Sequence, residues 1–132
     1  MERIDGMLNS QKLIYVVEED KEISELIPLI LEETGHAIML FATFADFHTR
    51  MTIVLPDLII LDVTLPDGYG TEVCRALKKD NLYKHIPVII MSIYTEDTLL
   101  MKKSLADMFI EKPFDINDLT DAVQRFLTIG KG

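Results

Sequence analysis

Cysteine is almost missing from this sequence. Cys74 stands alone among 132 residues, so no internal disulfide can form, and a reducing cytoplasm is the expected setting. Basic residues are scarce: 13 Lys and Arg face 22 Asp and Glu, for a net charge of -9. A surface of that sign repels a phosphate backbone, which argues against direct nucleic-acid binding. It suits cations instead, either a divalent metal or a basic partner. Long apolar runs are also missing. None approaches membrane-spanning length, and Met1 to Asn9 mixes charges with isolated apolar residues, unlike a signal peptide. No membrane partner is therefore expected. There is no internal repeat, no low-complexity segment and no Gly-rich or Walker-type loop.

What is present is a core. Hydrophobic residues make up 48% of the chain, too many for a disordered polymer and enough for one domain. We expect a flexible arm over 1–10, a folded domain over 11–128 and a tail over 129–132.

Short apolar runs alternate with helix-period segments along that domain. Leu13 to Val17 reads as a buried strand ending in acid. Asp20 offers an N-cap to a helix whose apolar face is Ile23, Leu26, Ile27, Ile30 and Leu31. Pro28 sits inside it and removes one backbone bond, and Gly35 ends the segment. Ala37 to Phe41 is a second strand and Ala45 to Val54 a second helix. Leu58 to Leu61 is the clearest strand, apolar on both faces as in a parallel sheet covered by helices on both sides. Leu65 to Gly70 is a turn cluster. A third helix over Thr71 to Lys79 should bury Val73, Ala76 and Leu77. A strand over Val88 to Met91 follows, then a helix capped by Thr95 and carrying Leu99, Leu100 and Lys103. Phe109-Ile110 lies in a fifth strand. Asp115 caps a last helix with the stripe Ile116, Leu119, Val123, Phe126 and Leu127. Five βα units with short connections give an α/β doubly wound open sheet.

In such sheets, function gathers beyond the carboxyl ends of the strands. The residues there are Glu18 and Glu19, Asp62, Ser92 and Lys112. Carboxylates converging on one edge repel one another, and a hard divalent cation such as Mg2+ resolves the conflict. With Lys112 as a second positive charge and Ser92 as a hydroxyl donor, the set meets the needs of phosphoryl transfer to a carboxylate. Asp62 is the nucleophile.

The residues also carry a family resemblance. Val17-Glu18-Glu19-Asp20 resembles the acidic pair of the receiver domains of two-component response regulators. Leu61-Asp62-Val63-Thr64-Leu65-Pro66-Asp67-Gly68 resembles their phosphorylation loop, Pro87 to Ser92 their Ser/Thr segment, and Ala106 to Phe114, with Lys112-Pro113, their Lys-Pro segment. The resemblance covers about Lys12 to Leu127. It implies the flavodoxin-like strand order 2-1-3-4-5 with five flanking helices. It implies phosphorylation of Asp62 with Mg2+ by a histidine kinase or phosphotransfer protein, the metal touching Glu18, Glu19, Asp62 and the Thr64 backbone carbonyl. It further implies a cis Lys112-Pro113 bond, Ser92, Lys112 and the aromatic Phe109 as switch elements, and Thr64 and Tyr94 as residues that set the lifetime of the acyl phosphate. The expected product is a regulatory phosphoacceptor rather than a turnover enzyme. It would switch the surface of the fourth helix, fifth strand and fifth helix toward a homodimer or output partner.

Three positions depart from the family: Glu19 where aspartate is usual, Ile93 where alanine or glycine is usual, and Leu105 where glycine is usual. They motivate an alternative, a degenerate receiver acting as a phosphorylation-independent interaction module. A flavin or nucleotide binder is disfavoured because the first βα turn is Glu-Glu-Asp, which repels phosphate. A haloacid-type phosphatase would need Asp-x-Asp after the first strand, and that pattern is absent.

Overall fold

The structure, a computed structural model, describes residues 11–93 and 98–127. Five parallel strands form one sheet: β1 (Leu13–Val17), β2 (Ala37–Phe41), β3 (Leu58–Asp62), β4 (Val88–Ser92) and β5 (Met108–Glu111), in the order β2-β1-β3-β4-β5. The helices are α1 (Lys21–Ile30), α2 (Phe44–Met51), α3 (Gly70–Lys78), α4 (Thr98–Ser104) and α5 (Ile116–Leu127). Every residue of β3 and β4 is buried, as a central parallel strand covered on both faces requires. β1 sends the chain outward to β2, and β3 lies on β1's other side. The sheet therefore reverses direction between β1 and β3, beside Asp62.

Each side of the sheet has its own core. On one side α2 and α3 pack Phe44, Phe47, Met51, Cys74 and Leu77 against Tyr15, Val17, Ile59, Leu61 and Ile90. On the other, α1 and α5 pack Ile27, Leu119, Val123 and Leu127 against Ile14, Val16, Leu58, Ile60 and Ile89. The Cys74 thiol is fully buried, and that burial pushes its pKa up to about 12.

Local signals account for the ends of the elements. Asp20 accepts from the amides of Glu22 and Ile23 at 2.9 and 3.2 Å and caps α1; Pro28 falls in that helix's last turn. Asp115 accepts from the amide of Asn117 at 3.3 Å at the start of α5. Gly35 takes φ 76° after a 3-10 turn. Leu105 has φ 65°, the left-handed geometry its place suggested, and Lys112-Pro113 is cis.

Several expectations need correction. α2 runs from Phe44 to Met51 rather than from Ala45 to Val54, leaving Ile53 and Val54 exposed. The turn cluster contains a small hairpin, Thr64–Leu65 against Gly68–Tyr69. Leu26, Ala76 and Ile116 are exposed, because each helix buries only the centre of its apolar stripe. Thr95 and Tyr94 lie outside the described residues.

Candidate functional site

The carboxyl ends of β1, β3, β4 and β5 bring four predicted residues to one edge. Parallel registry does the positioning. The Glu18 amide donates to Phe41 O (2.9 Å), Val63 to Met91 O (3.0 Å) and Lys112 to Ser92 O (3.0 Å), so each strand end is pinned to its neighbour. Glu18, Asp62 and Ser92 are all buried.

Lys112 joins the set. Its Nζ lies 2.9 Å from Glu18 Oε1 and 3.2 Å from Asp62 Oδ1, so one ammonium bridges two carboxylates. The other oxygen of Glu18 accepts the Asp20 amide at 3.1 Å. Burial raises the Glu18 pKa above the usual carboxylate value, and the bonds from Lys112 and Asp20 offset this only in part. Burial also disfavours the Lys112 ammonium. The Glu18 hydrogen bond and the charges of Glu18 and Asp62 outweigh that penalty and hold the Lys112 pKa above the ordinary lysine value.

The remaining predicted residues are more peripheral. Asp62, Val63, Thr64, Ile93 and Lys112 line a cleft of about 280 Å³. Ile93 is 58% exposed at its lip. Glu19 is exposed, and among the described residues no three His, Cys, Asp or Glu side chains converge as a metal-binding group. Phe109 is half-buried and packs against the core on the α2/α3 side. A larger hollow of about 400 Å³ opens beside β5 and α5, lined in part by Phe109, Glu111, Asp118 and Arg125; it lacks the convergent buried charges of the Asp62 cleft.

Two residues of the turn cluster have roles that the sequence did not assign. Asp67 accepts from the amides of Phe44 and Ala45 at 3.1 and 3.0 Å, and the first of these bonds, with the second assisting, lowers its pKa against the opposing cost of desolvation. A Cβ on Gly70 would lie 2.1 Å from the Asp62 carbonyl oxygen, so α3 can begin there only with glycine. Asp67 stood in the segment that resembles the phosphorylation loop, without a role of its own, and nothing in the sequence marked the close approach at Gly70.

Known proteins bear on this geometry. A family model described as the response regulator receiver domain matches residues 14–124. The phosphate regulon transcriptional regulatory protein PhoB of Pseudomonas aeruginosa is 32% identical over 118 residues, which are 88% of this chain and 52% of that protein. The DNA-binding response regulator MtrA of Mycobacterium tuberculosis is 30% identical over 113 residues, 84% of this chain and 48% of that protein. Among solved structures, the signal receiver domain of a signal transduction histidine kinase from Syntrophus aciditrophicus superimposes with a TM-score of 0.83 at 33% identity, covering 89% of this chain and 90% of that one. The chain spans about half the length of the curated relatives it matches. These relatives overturn the argument that acidity excludes direct nucleic-acid binding. MtrA is DNA-binding by name, and the charge of this chain carries no information about contacts made elsewhere in a protein about twice as long. Among the described residues, no helix is long and apolar enough to cross a membrane.

Proposed function

The chain belongs to the response regulator receiver family, and from that premise we propose that it accepts a phosphoryl group on Asp62 from a histidine kinase or phosphotransfer protein, in the presence of Mg2+, in the cytoplasm. The observation that carries this reading is the single Lys112 ammonium bridging buried Glu18 and Asp62. Two carboxylates and one lysine leave negative charge in a confined place, and hard oxygen donors of this kind suit magnesium, which takes few carboxylates and keeps several waters. Glu18, Asp62, Glu19 and the Thr64 backbone carbonyl are the residues that would hold it. When bound, the ion supplies charge stabilisation for the phosphoryl oxygens.

The chain's own residues do the rest. A carboxylate oxygen of Asp62 attacks phosphorus, the bond from phosphorus to the donor's imidazole nitrogen breaks, and that nitrogen keeps the electron pair. The product is an acyl phosphate. Lys112 moves from bridging two carboxylates to balancing the phosphoryl oxygens, and the Ser92 hydroxyl hydrogen-bonds one of them. Phe109, half-buried on β5 three residues before Lys112, transmits the rearrangement to the surface of α4, β5 and α5. Thr64, which lines the cleft beside Asp62, sets how fast water reaches the acyl phosphate. No observation favours the degenerate module: Glu19, Ile93 and Leu105 are exposed departures, while Glu18, Asp62 and Lys112 stand in contact.

The test is intact mass after incubation with Mg2+ and a small acyl-phosphate donor. The wild-type chain gains one phosphoryl group and Asp62→Asn gains none. Equal labelling of the two overturns the assignment.

A further inference from the structure

We propose that Asp67 is a positioning residue for phosphoryl transfer, holding the hairpin that carries Thr64 in register with Asp62 by tying it to the start of α2. The inference rests on the reading of Asp62 as phosphoacceptor.

Both oxygens of Asp67 are used, Oδ1 by the Phe44 amide and Oδ2 by the Ala45 amide. These are the first amides of α2, which have no partner within the helix, and a carboxylate is favoured there by the helix dipole. The helix does not depend on Asp67 alone, because Thr43 Oγ1 already accepts the Asp46 amide at 3.1 Å. The tie therefore joins two distant segments as well as capping one of them. The neighbouring contacts show how closely the hairpin is seated. A Cβ on Gly68 would meet the Phe44 ring at 3.2 Å, and Leu65 is buried in the same core as Phe44. At its far end the Gly70 amide donates to Val63 O at 2.7 Å, with the Asp62 carbonyl too close for any side chain.

The hairpin is thus held from both sides, by Gly70 on the backbone of Asp62 and Val63 and by Asp67 on α2. Thr64, between these holds, lines the cleft beside Asp62. With Asp67 gone the Gly70 hold at the base of the hairpin remains and the chain stays folded, while the turn between Leu65 and Gly68 loosens and Thr64, paired with Tyr69 directly below it, loses part of its registration. Small misplacements of groups around a reacting centre cost far more in rate than in stability.

The experiment compares Asp67→Ala, Asp67→Asn and Thr43→Ala in the full chain. Phosphorylation by a small acyl-phosphate donor in Mg2+ is followed alongside urea denaturation. Asp67→Ala slows phosphorylation by about tenfold, and Asp67→Asn, which keeps one acceptor oxygen, recovers part of the rate. Thr43→Ala removes the other cap of the same helix, lowers stability and leaves the rate within about twofold. Wild-type rates in Asp67→Ala overturn the proposal. So does equal slowing in Thr43→Ala, which would assign the effect to α2 as a whole. If the wild-type chain takes no phosphoryl group, the phosphoacceptor reading fails on its own. Amide exchange then decides the tie: protection across Thr64 to Tyr69 that is lost in Asp67→Ala and kept in Thr43→Ala supports it, and unchanged protection refutes it.

Discussion

The two ends of the sheet use the same chemistry to opposite effect. At the amino end, Lys78 Nζ pairs with Asp107 Oδ2 at 2.7 Å and donates to Ile86 O at 2.7 Å. That Asp107 oxygen also accepts the Val88 amide at 2.7 Å. Asp57 accepts the Leu13 amide and His36 Nδ1 the Lys12 amide, at 2.9 and 3.0 Å. One lysine meets one carboxylate, and the neighbouring polar groups are engaged with backbone. At the carboxyl end, one lysine serves two buried carboxylates. A closed set of charges locks strand ends together. An unbalanced one is electrostatically incomplete and gains when a cation arrives. Stoichiometry of charge, rather than its presence, separates scaffold from site.

That contrast can be broken most directly at Lys112. Lys112→Ala should still take phosphate, slowly, and lose most of the phosphate-dependent amide-shift change in β5 and α5; a mutant with the full pattern would remove Lys112 from the coupling role. Lys78→Ala should do the converse. It leaves the exposed Asp107 without its cation and Ile86 O without a donor, and should lower the urea-derived stability by about 1–2 kcal/mol, with an unaltered phosphorylation rate. A matching loss of rate would mean the amino end is not merely structural. Leu105 precedes β5 at that same end, and relieving its left-handed backbone with Leu105→Gly should raise stability by about 1 kcal/mol. A lowered urea midpoint would show that its side-chain packing matters more than its backbone. At the carboxyl end, Glu19→Asp should tighten Mg2+ modestly in an amide-shift titration near Asp62, since a shorter side chain suits the compact geometry of magnesium. Unchanged affinity would make that departure neutral.

The smallest effect is a pH slope. Burial holds the His36 pKa below its ordinary value of 6.5, and the fold needs the neutral ring to accept the Lys12 amide. The unfolded chain therefore takes up the proton first. Stability contributed by His36 is full above pH 6.5 and declines as pH falls below it. Urea midpoints on either side of that value check this. His36→Asn, which offers an acceptor without titrating, should flatten the slope to what His48, also held low by burial, contributes.

The sequence made β3 and β4 legible because runs such as Leu58 to Leu61 are apolar on both faces and need no context to be placed. Helix margins were less legible. Leu26 and Ile116 continue an apolar period that the sheet does not reach, and Ile53 and Val54 extend the α2 pattern into exposed loop. The site was legible as strand-end residues in the right order, Glu18, Asp62, Ser92 and Lys112. Which glutamate turns inward was not, since consecutive residues leaving a strand point to opposite sides; here it is Glu18 that meets Lys112. The Asp67 tie to α2 spans 22 and 23 residues and left no local pattern.

The solitary thiol in the α3-side core offers a clock. Cys74 has no exposed surface, and with its pKa near 12 the folded chain presents almost no thiolate. A thiol-reactive dye can therefore label only molecules that have opened. With no second cysteine to compete, the labelling rate at neutral pH counts openings of the α2/α3 side of the sheet. Run with and without a phosphodonor, one stopwatch measurement on the unmodified protein reads how far events at Asp62 stiffen the core beneath it.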